Sequence, residues 1–126
     1  MSQRFTRVLA IASLAACLTA TAADFPDATV LDPDYHKVVL ENEHVRVLES
    51  RASPGATSHM HSHPPRIIVS MSAARLKAAF PDGKVQIWDL HPQELLWMPA
   101  DAHQWEVLAG EISAYVIEVK SAAKAK

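Results

Sequence analysis

The chain has 126 residues, which is room for a single domain. Its composition is that of an ordinary globular protein, with 49% hydrophobic and 21% charged residues. The formal net charge of -2 offers no electrostatic basis for binding nucleic acid or an anionic membrane surface, so neither partner is expected. Histidine is the unusual residue, because seven are present in so short a chain.

The first residues are typical of an export signal. Two arginines near the start are followed by an apolar run over 8–18. This run is too short to span a bilayer about 30 Å thick, which needs roughly 20 residues. Small residues then suit a signal-peptidase cut before Ala23 or Asp24. We therefore predict a signal peptide over 1–23 and a periplasmic or secreted mature protein without a membrane span.

The only cysteine, Cys17, lies inside this segment and leaves an alternative open. Leu14 to Cys17 resembles a bacterial lipobox, in which the cysteine would receive a lipid anchor and become the mature N-terminus. The short apolar stretch before Cys17 and the peptidase site after it favour the soluble exported product. In either case the folded domain has no disulfide, so its stability must come from packing or from a bound metal.

The mature chain has the pattern of an all-β domain. An extended lead-in is predicted over 24–35, the β-domain over 36–120 and a flexible tail over 121–126. Turn residues about 8 to 12 positions apart predict eight or nine short strands, the spacing of a sandwich or barrel. Segment 72–80 is ambiguous because its alanines favour a helix, but its place between strands favours β. The other predicted strands cover 36–41, 45–51, 66–71, 85–90, 95–98, 104–108 and 112–120.

The run from His59 to His63, with the sequence HMHSH, provides the candidate site. Side chains alternate faces in an extended segment, so its three imidazoles project from one side. Two imidazoles two residues apart can chelate one ion, and imidazole suits Zn, Cu, Fe and Ni. His103 is the best candidate for a further ligand because it begins a strand after the turn over 99–102. Trp105, on the same face, would place a large apolar ring beside the site.

The remaining histidines and the tryptophans are expected to have ordinary structural roles. The histidines outside the run and apart from His103 are expected to be solvent-facing or structural: His36, His44 and His91. The tryptophans are expected in the core, since aromatic side chains supply much of the buried area of a small barrel: Trp88, Trp97 and Trp105.

Two segments resemble the motifs of the cupin superfamily. Gly55 to His63 is similar to the opening of the first cupin motif, a glycine followed by five residues and H-x-H. Pro99 to His103 is similar to the second motif, a P-x-G turn followed closely by a histidine. The resemblance covers most of the mature chain. It implies a double-stranded β-helix (jelly-roll) barrel that holds a divalent metal inside.

The resemblance also implies which residues bind the metal, a divalent transition ion such as Fe, Zn, Mn, Ni or Cu. They are His61, His63 and His103, and His59 is then an extra residue. The chain departs from the family pattern, because two isoleucines stand where the metal-binding glutamate is expected, and Asp101 replaces the glycine of the second motif. A site without the carboxylate would consist of three neutral imidazoles with open positions for water or a ligand.

Two functions are compatible with such a site. One is a metal-dependent oxygenase or isomerase that acts on a small organic molecule. The other is a non-catalytic periplasmic protein that binds a small ligand, or a metal such as copper or zinc. A metal carrier would add His59 and the softer Met60 as ligands, whereas an enzyme would not need His59. A homodimer formed through an edge strand is expected by analogy with the family.

Overall fold

The computed structural model describes residues 21–121, and these form a largely β domain. Most of the predicted signal peptide, including Cys17, lies outside the described residues, as do tail residues 122–126. Within the described part, no helix is long and apolar enough to cross a membrane.

Nine strands follow one another in the described part of the chain. Segment 72–80 contains a strand, as predicted, because buried Ala74 and Leu76 alternate with exposed Arg75 and Lys77 in the two-residue period of a sheet. The strands are β1 (His36–Glu41), β2 (Val45–Ala52), β3 (His61–His63), β4 (Arg66–Ser70), β5 (Ala74–Ala79), β6 (Val85–Leu90), β7 (Glu94–Met98), β8 (Asp101–Gly110) and β9 (Ile112–Val119).

The strands form two antiparallel sheets. The first has the order β1-β2-β9-β4-β7, and the second has the order β3-β8-β5-β6. Their inner faces share one apolar core, to which the first sheet contributes Ala52, Ile112 and Ala114 and the second contributes Leu76, Trp105 and Val107. This arrangement confirms the predicted all-β architecture of two packed layers.

The N-terminal segment differs from the extended lead-in that the sequence predicts over 24–35. It contains a 3₁₀ turn (Ala22–Asp24) and a short helix, α1 (Ala28–Leu31). The Asp27 side chain accepts a hydrogen bond from the Thr29 backbone N–H at 2.9 Å, and this N-cap satisfies a donor that the helix start would leave free. The extended prediction is therefore wrong over α1.

The register of the strands brings several histidines together. β3 pairs with β8 so that His61 lies opposite His103 and His63 lies opposite Asp101. This pairing extends β8 back to Asp101, so the predicted turn over 99–102 is shorter than expected. His36 begins β1 in the other sheet. The histidines of β3 and β8 therefore lie across the barrel interior from His36.

The three tryptophans do not share one environment. Trp105 is buried in the core, and Trp88 packs against it while partly exposed, as predicted. Trp97 is 59% exposed, so its predicted core position is wrong. Trp97 lies on the edge strand β7, opposite Ile67 of β4. The two-residue period of β7 turns the Trp97 side chain away from the barrel interior.

Gly110 ends β8 with a backbone φ of 68°, and a Cβ there would overlap the carbonyl oxygen of Ala73. Gly83 also has a positive φ, of 84°, but open space where its Cβ would lie. We expect Gly83→Ala to lower the free energy of unfolding by about 1–2 kcal/mol, the cost of a left-handed conformation. Gly110→Ala should lower it further. Urea unfolding of both variants measures the difference, and equal losses would contradict the overlap at Gly110.

Candidate metal centre

Four buried histidines meet in the barrel interior, and we call them the four-histidine cluster. They are His36, His61, His63 and His103, each no more than 6% exposed. One ring nitrogen from each of His36, His61 and His63 lies within 4.8 Å of the other two. The His103 ring lies beside them, with centroid distances of 4.9 Å to His61 and 5.4 Å to His63. The spacing is compatible with a shared metal ion.

The cluster agrees only in part with the site that the sequence predicts. The structure brings the predicted ligands His61, His63 and His103 together. The ring nitrogens that lie closest, however, include one from His36 and none from His103. The role of His103 as a ligand therefore stays a prediction, and His36 joins the candidate ligands.

His36 is the residue that sequence reasoning missed. It was expected to be solvent-facing or structural, together with His44 and His91. The latter two have side chains 78% and 68% exposed, whereas His36 is buried. Nothing in its local sequence marks it, because its neighbours in the cluster come from strands of the other sheet.

A carboxylate contacts Nδ1 of each predicted ligand. An ionised carboxylate only accepts hydrogen bonds, so each contact places the proton on Nδ1 and leaves Nε2 with a lone pair for a metal. This support is typical of histidines that bind metals. The pairs are His61 with Asp32 at 3.1 Å, His63 with Glu118 at 2.9 Å, and His103 with Asp101 at 2.8 Å.

The two ring nitrogens of His36 also have different surroundings. Its Nδ1 lies 2.8 Å from the Ser50 hydroxyl, and its Nε2 is buried without a hydrogen-bond partner. Nε2 of His61 is also buried and unpartnered among the described residues. Leaving a buried polar atom unsatisfied costs about 1–3 kcal/mol, and coordination of a metal would remove that cost. The donor set therefore fits an imidazole-bound metal.

The protonation states also suit a metal. Burial lowers the pKa of His36 and of His61 to about 4, and neighbouring histidines add to the effect. Burial, followed by the nearby charge of Arg66, holds the pKa of His63 well below its usual value. These imidazoles are therefore neutral at pH 7, which is the form that binds metals.

The supporting residues form a network with an excess of acidic groups. Burial raises the pKa of Asp32, but hydrogen bonds from His59 and His61 outweigh it, so the pKa is lowered overall. Burial also raises the pKa of Glu118, and the nearby Arg46 only partly offsets this rise. The network holds the carboxyl groups of Asp27, Asp32, Asp101 and Glu118 and the guanidinium groups of Arg46 and Arg66. A dication on the neutral histidines would balance the acidic excess.

His59 lies outside the four-histidine cluster. Its side chain is 74% exposed, and its Nδ1 lies 2.8 Å from Oδ1 of Asp32. Its backbone N–H also donates to Asp32, at 3.1 Å to Oδ2. His59 therefore helps to hold the carboxylate that orients His61, and it does not itself face the cluster.

A cavity of about 60 Å³ adjoins the cluster. One water molecule needs roughly 10–15 Å³ by this measure, so the cavity has room for a small ligand. His36, His63 and His103 line it together with Trp88 and Trp105, and most of the remaining lining is aliphatic. The apolar ring predicted beside the site is thus present, since the Trp105 and His36 centroids are 6.3 Å apart.

The lowered histidine pKa values make the stability of the metal-free protein dependent on pH. Between pH 6.5 and about 4 the unfolded chain binds protons that buried His36 does not, so the free energy of unfolding falls as the pH falls. For His36 alone the loss at pH 5 is about 2 kcal/mol. Glu118, whose pKa is raised, acts in the opposite direction.

Urea unfolding of metal-free protein at pH 7 and pH 5 tests this expectation. We expect the His36→Asn variant to lose less stability between the two pH values than the wild type does. The matched control is His91→Asn, which makes the same substitution at an exposed histidine outside the cluster. A His36→Asn variant with the pH dependence of the wild type would contradict the assignment.

Solved structures of known proteins resemble this chain. A cupin domain protein from Bordetella pertussis Tohama I is 26% identical, with a TM-score of 0.63 over 68% of this chain and 92% of that one. A Cupin 2 conserved barrel domain protein from Salinispora arenicola CNS-205 is 16% identical, with a TM-score of 0.50 over 91% and 92% of the two chains. No protein-family model and no curated protein matches the chain.

These similarities concern the fold. The two solved structures cover about two thirds or more of this chain, and both are described as cupins. The chain therefore has the fold of the cupin superfamily, with a cluster of buried histidines inside the barrel that could bind a metal.

Proposed function

We propose that the protein binds one divalent transition metal at the four-histidine cluster and holds a small organic molecule beside it. The observation behind this proposal is the pair of buried, unpartnered Nε2 atoms of His36 and His61. Both rings belong to the group of three closely spaced histidines that includes His63, and the Nδ1 atoms of all three rings are already engaged. A set of close, neutral and oriented nitrogens is what a metal site requires.

The donor atoms narrow the identity of the metal. Imidazole nitrogen suits Zn, Cu, Fe and Ni, and Mn is also used in mixed sites, whereas Mg and Ca prefer oxygen ligands. Such a metal supplies a Lewis acid, and iron or copper adds redox chemistry. The protein contributes orientation of the rings through Asp32, Asp101 and Glu118, and a cavity with a largely aliphatic wall.

We propose an oxygenase or isomerase acting on a small organic molecule as the first candidate activity. A cavity next to the candidate ligands is the feature that supports it, because a substrate must lie beside the metal. Among the described residues, no carboxylate lines this cavity, so chemistry there would depend on the metal and the histidines.

A non-catalytic binding protein is the second candidate. The absence of a cavity-lining carboxylate among the described residues favours it, because the histidines available there as a general base are themselves candidate metal ligands. A dedicated carrier of copper or zinc receives less support. Such a carrier would use His59 as a ligand, and His59 is exposed and bonded to Asp32 instead.

Export and pairing of two copies also stay proposals. β1 is an edge strand of the five-stranded sheet, and its residues Val38, Val39 and Leu40 are about half exposed. An edge strand with apolar side chains is a suitable surface for pairing with a second copy.

The test of the metal proposal is elemental analysis of protein purified without a histidine tag and loaded with Zn²⁺ or Ni²⁺. We expect about one equivalent of metal in the wild type. His61→Ala and His63→Ala should each weaken binding by more than the roughly 10- to 100-fold that loss of a supporting residue costs. The His36→Gln variant should also bind more weakly, because His36 supplies one of the closely spaced ring nitrogens.

The matched control is His59→Ala, which removes a histidine from the same segment but outside the cluster. It should keep the full metal content, with at most a moderate loss of affinity through Asp32. A wild type that takes up no stoichiometric metal under any loading condition would refute the proposal. The metal content of His103→Ala tests whether His103 is a ligand. A loss like that of His61→Ala would support this role, and an unchanged metal content would contradict it.

Export is tested by intact-mass analysis of the protein recovered from the periplasm of a Gram-negative host. We expect an N-terminus at Ala23 or Asp24, because the small residues before them suit signal peptidase. Leu14→Arg interrupts the apolar run and should keep the chain in the cytoplasm. A lipid on Cys17 would support the lipoprotein alternative, and an uncut wild-type chain in the cytoplasm would contradict export.

A further inference from the structure

Arg66 is a buried arginine with one nitrogen unused. The residue is 1% exposed and begins β4. Its Nη1 donates to Oδ1 of Asp101 at 2.6 Å and to the Pro99 carbonyl oxygen at 3.1 Å. Its Nη2 is buried and has no hydrogen-bond partner among the described residues. A buried cationic donor without an acceptor is costly, so it requires an explanation.

The residue that carries the unused nitrogen is part of the wall of the cavity beside the histidines. Arg66 lines that cavity together with His63 and His103. One carboxylate holds both neighbours, because Asp101 binds Arg66 through Oδ1 and His103 through Oδ2, the latter at 2.8 Å. The guanidinium and the imidazole are therefore fixed relative to each other.

The other parts of the cavity wall restrict what Arg66 can bind. Ile68, Leu76, Leu90, Ile112 and Val116 contribute aliphatic surface, and Ser50 already contacts His36. A ligand that satisfies this wall has an acceptor at one end and a small apolar body. The volume of about 60 Å³ limits that body to a few non-hydrogen atoms.

We infer that the cavity binds a small aliphatic monocarboxylate, with Nη2 of Arg66 donating to its carboxylate. A carboxylate is favoured over a neutral acceptor because charge-assisted hydrogen bonds are roughly twice as strong as neutral ones. A ligand carboxylate held at Arg66 would also place the remainder of the ligand against the histidines. This inference rests on the proposed function and specifies the ligand class of the same site.

Calorimetric titration of zinc-loaded protein with propionate and with propionamide tests the inference. The two probes have nearly the same shape and differ in charge. We expect propionate to bind at least tenfold more tightly, and Arg66→Gln to reduce this preference to less than about twofold. Arg75→Gln is the control for loss of one positive charge, because Arg75 is exposed on β5 and should leave the preference intact.

The outcomes separate this inference from the metal proposal. Metal content is measured for every variant. The titrations are repeated after treatment with EDTA, because a preference for propionate that comes from Arg66 does not require the metal. A wild type that binds zinc but does not prefer propionate overturns the carboxylate assignment alone. A preference that survives in a folded Arg66→Gln variant overturns the role of Arg66. If Arg66→Gln does not fold, the wild-type comparison of the two probes still tests the carboxylate assignment. Arg66→Lys then tests the role of Arg66, because lysine keeps the positive charge but lacks Nη2, so the preference for propionate should fall.

Discussion

The contact between each carboxylate and the Nδ1 atom of its histidine is the interaction on which the candidate site depends. A neutral imidazole can place its proton on either nitrogen, and only one choice leaves Nε2 free. Asp32, Asp101 and Glu118 make that choice for His61, His103 and His63. Burial then keeps the His61 and His63 rings neutral. Without these acceptors the same histidines would form a cluster of rings with no defined metal-binding face.

The carboxylates are themselves held by arginines that join distant parts of the chain. Arg46 binds Glu118 at 2.6 Å and Asp27 at 2.5 Å, which links β2, β9 and the cap of α1. Arg66 performs the corresponding task for Asp101. Breaking one partner of a buried pair usually costs more than the pair contributes, because a charge is left uncompensated. The network therefore couples the folding of the barrel to the orientation of its histidines.

Much of the fold follows from local pattern, and part of the site does not. The turn residues between strands predict eight or nine strands, and H-x-H predicts that His61 and His63 share a face. Three features escape such reasoning. His36 joins the cluster only through sheet topology, the N-cap at Asp27 converts a predicted extended stretch into a helix, and Trp97 is on the outward-facing side of β7.

The position of the short helix α1 affects where the functional domain must begin. Asp27 and Asp32 flank this helix and reach the barrel network through Arg46 and His61. A boundary placed at the first strand, where the regular β-structure begins, would remove both carboxylates while leaving every barrel strand in place. Fold and site thus have different minimal lengths, and a fragment trimmed to the sheets would keep the shape of a barrel but lose part of the orientation of its histidines.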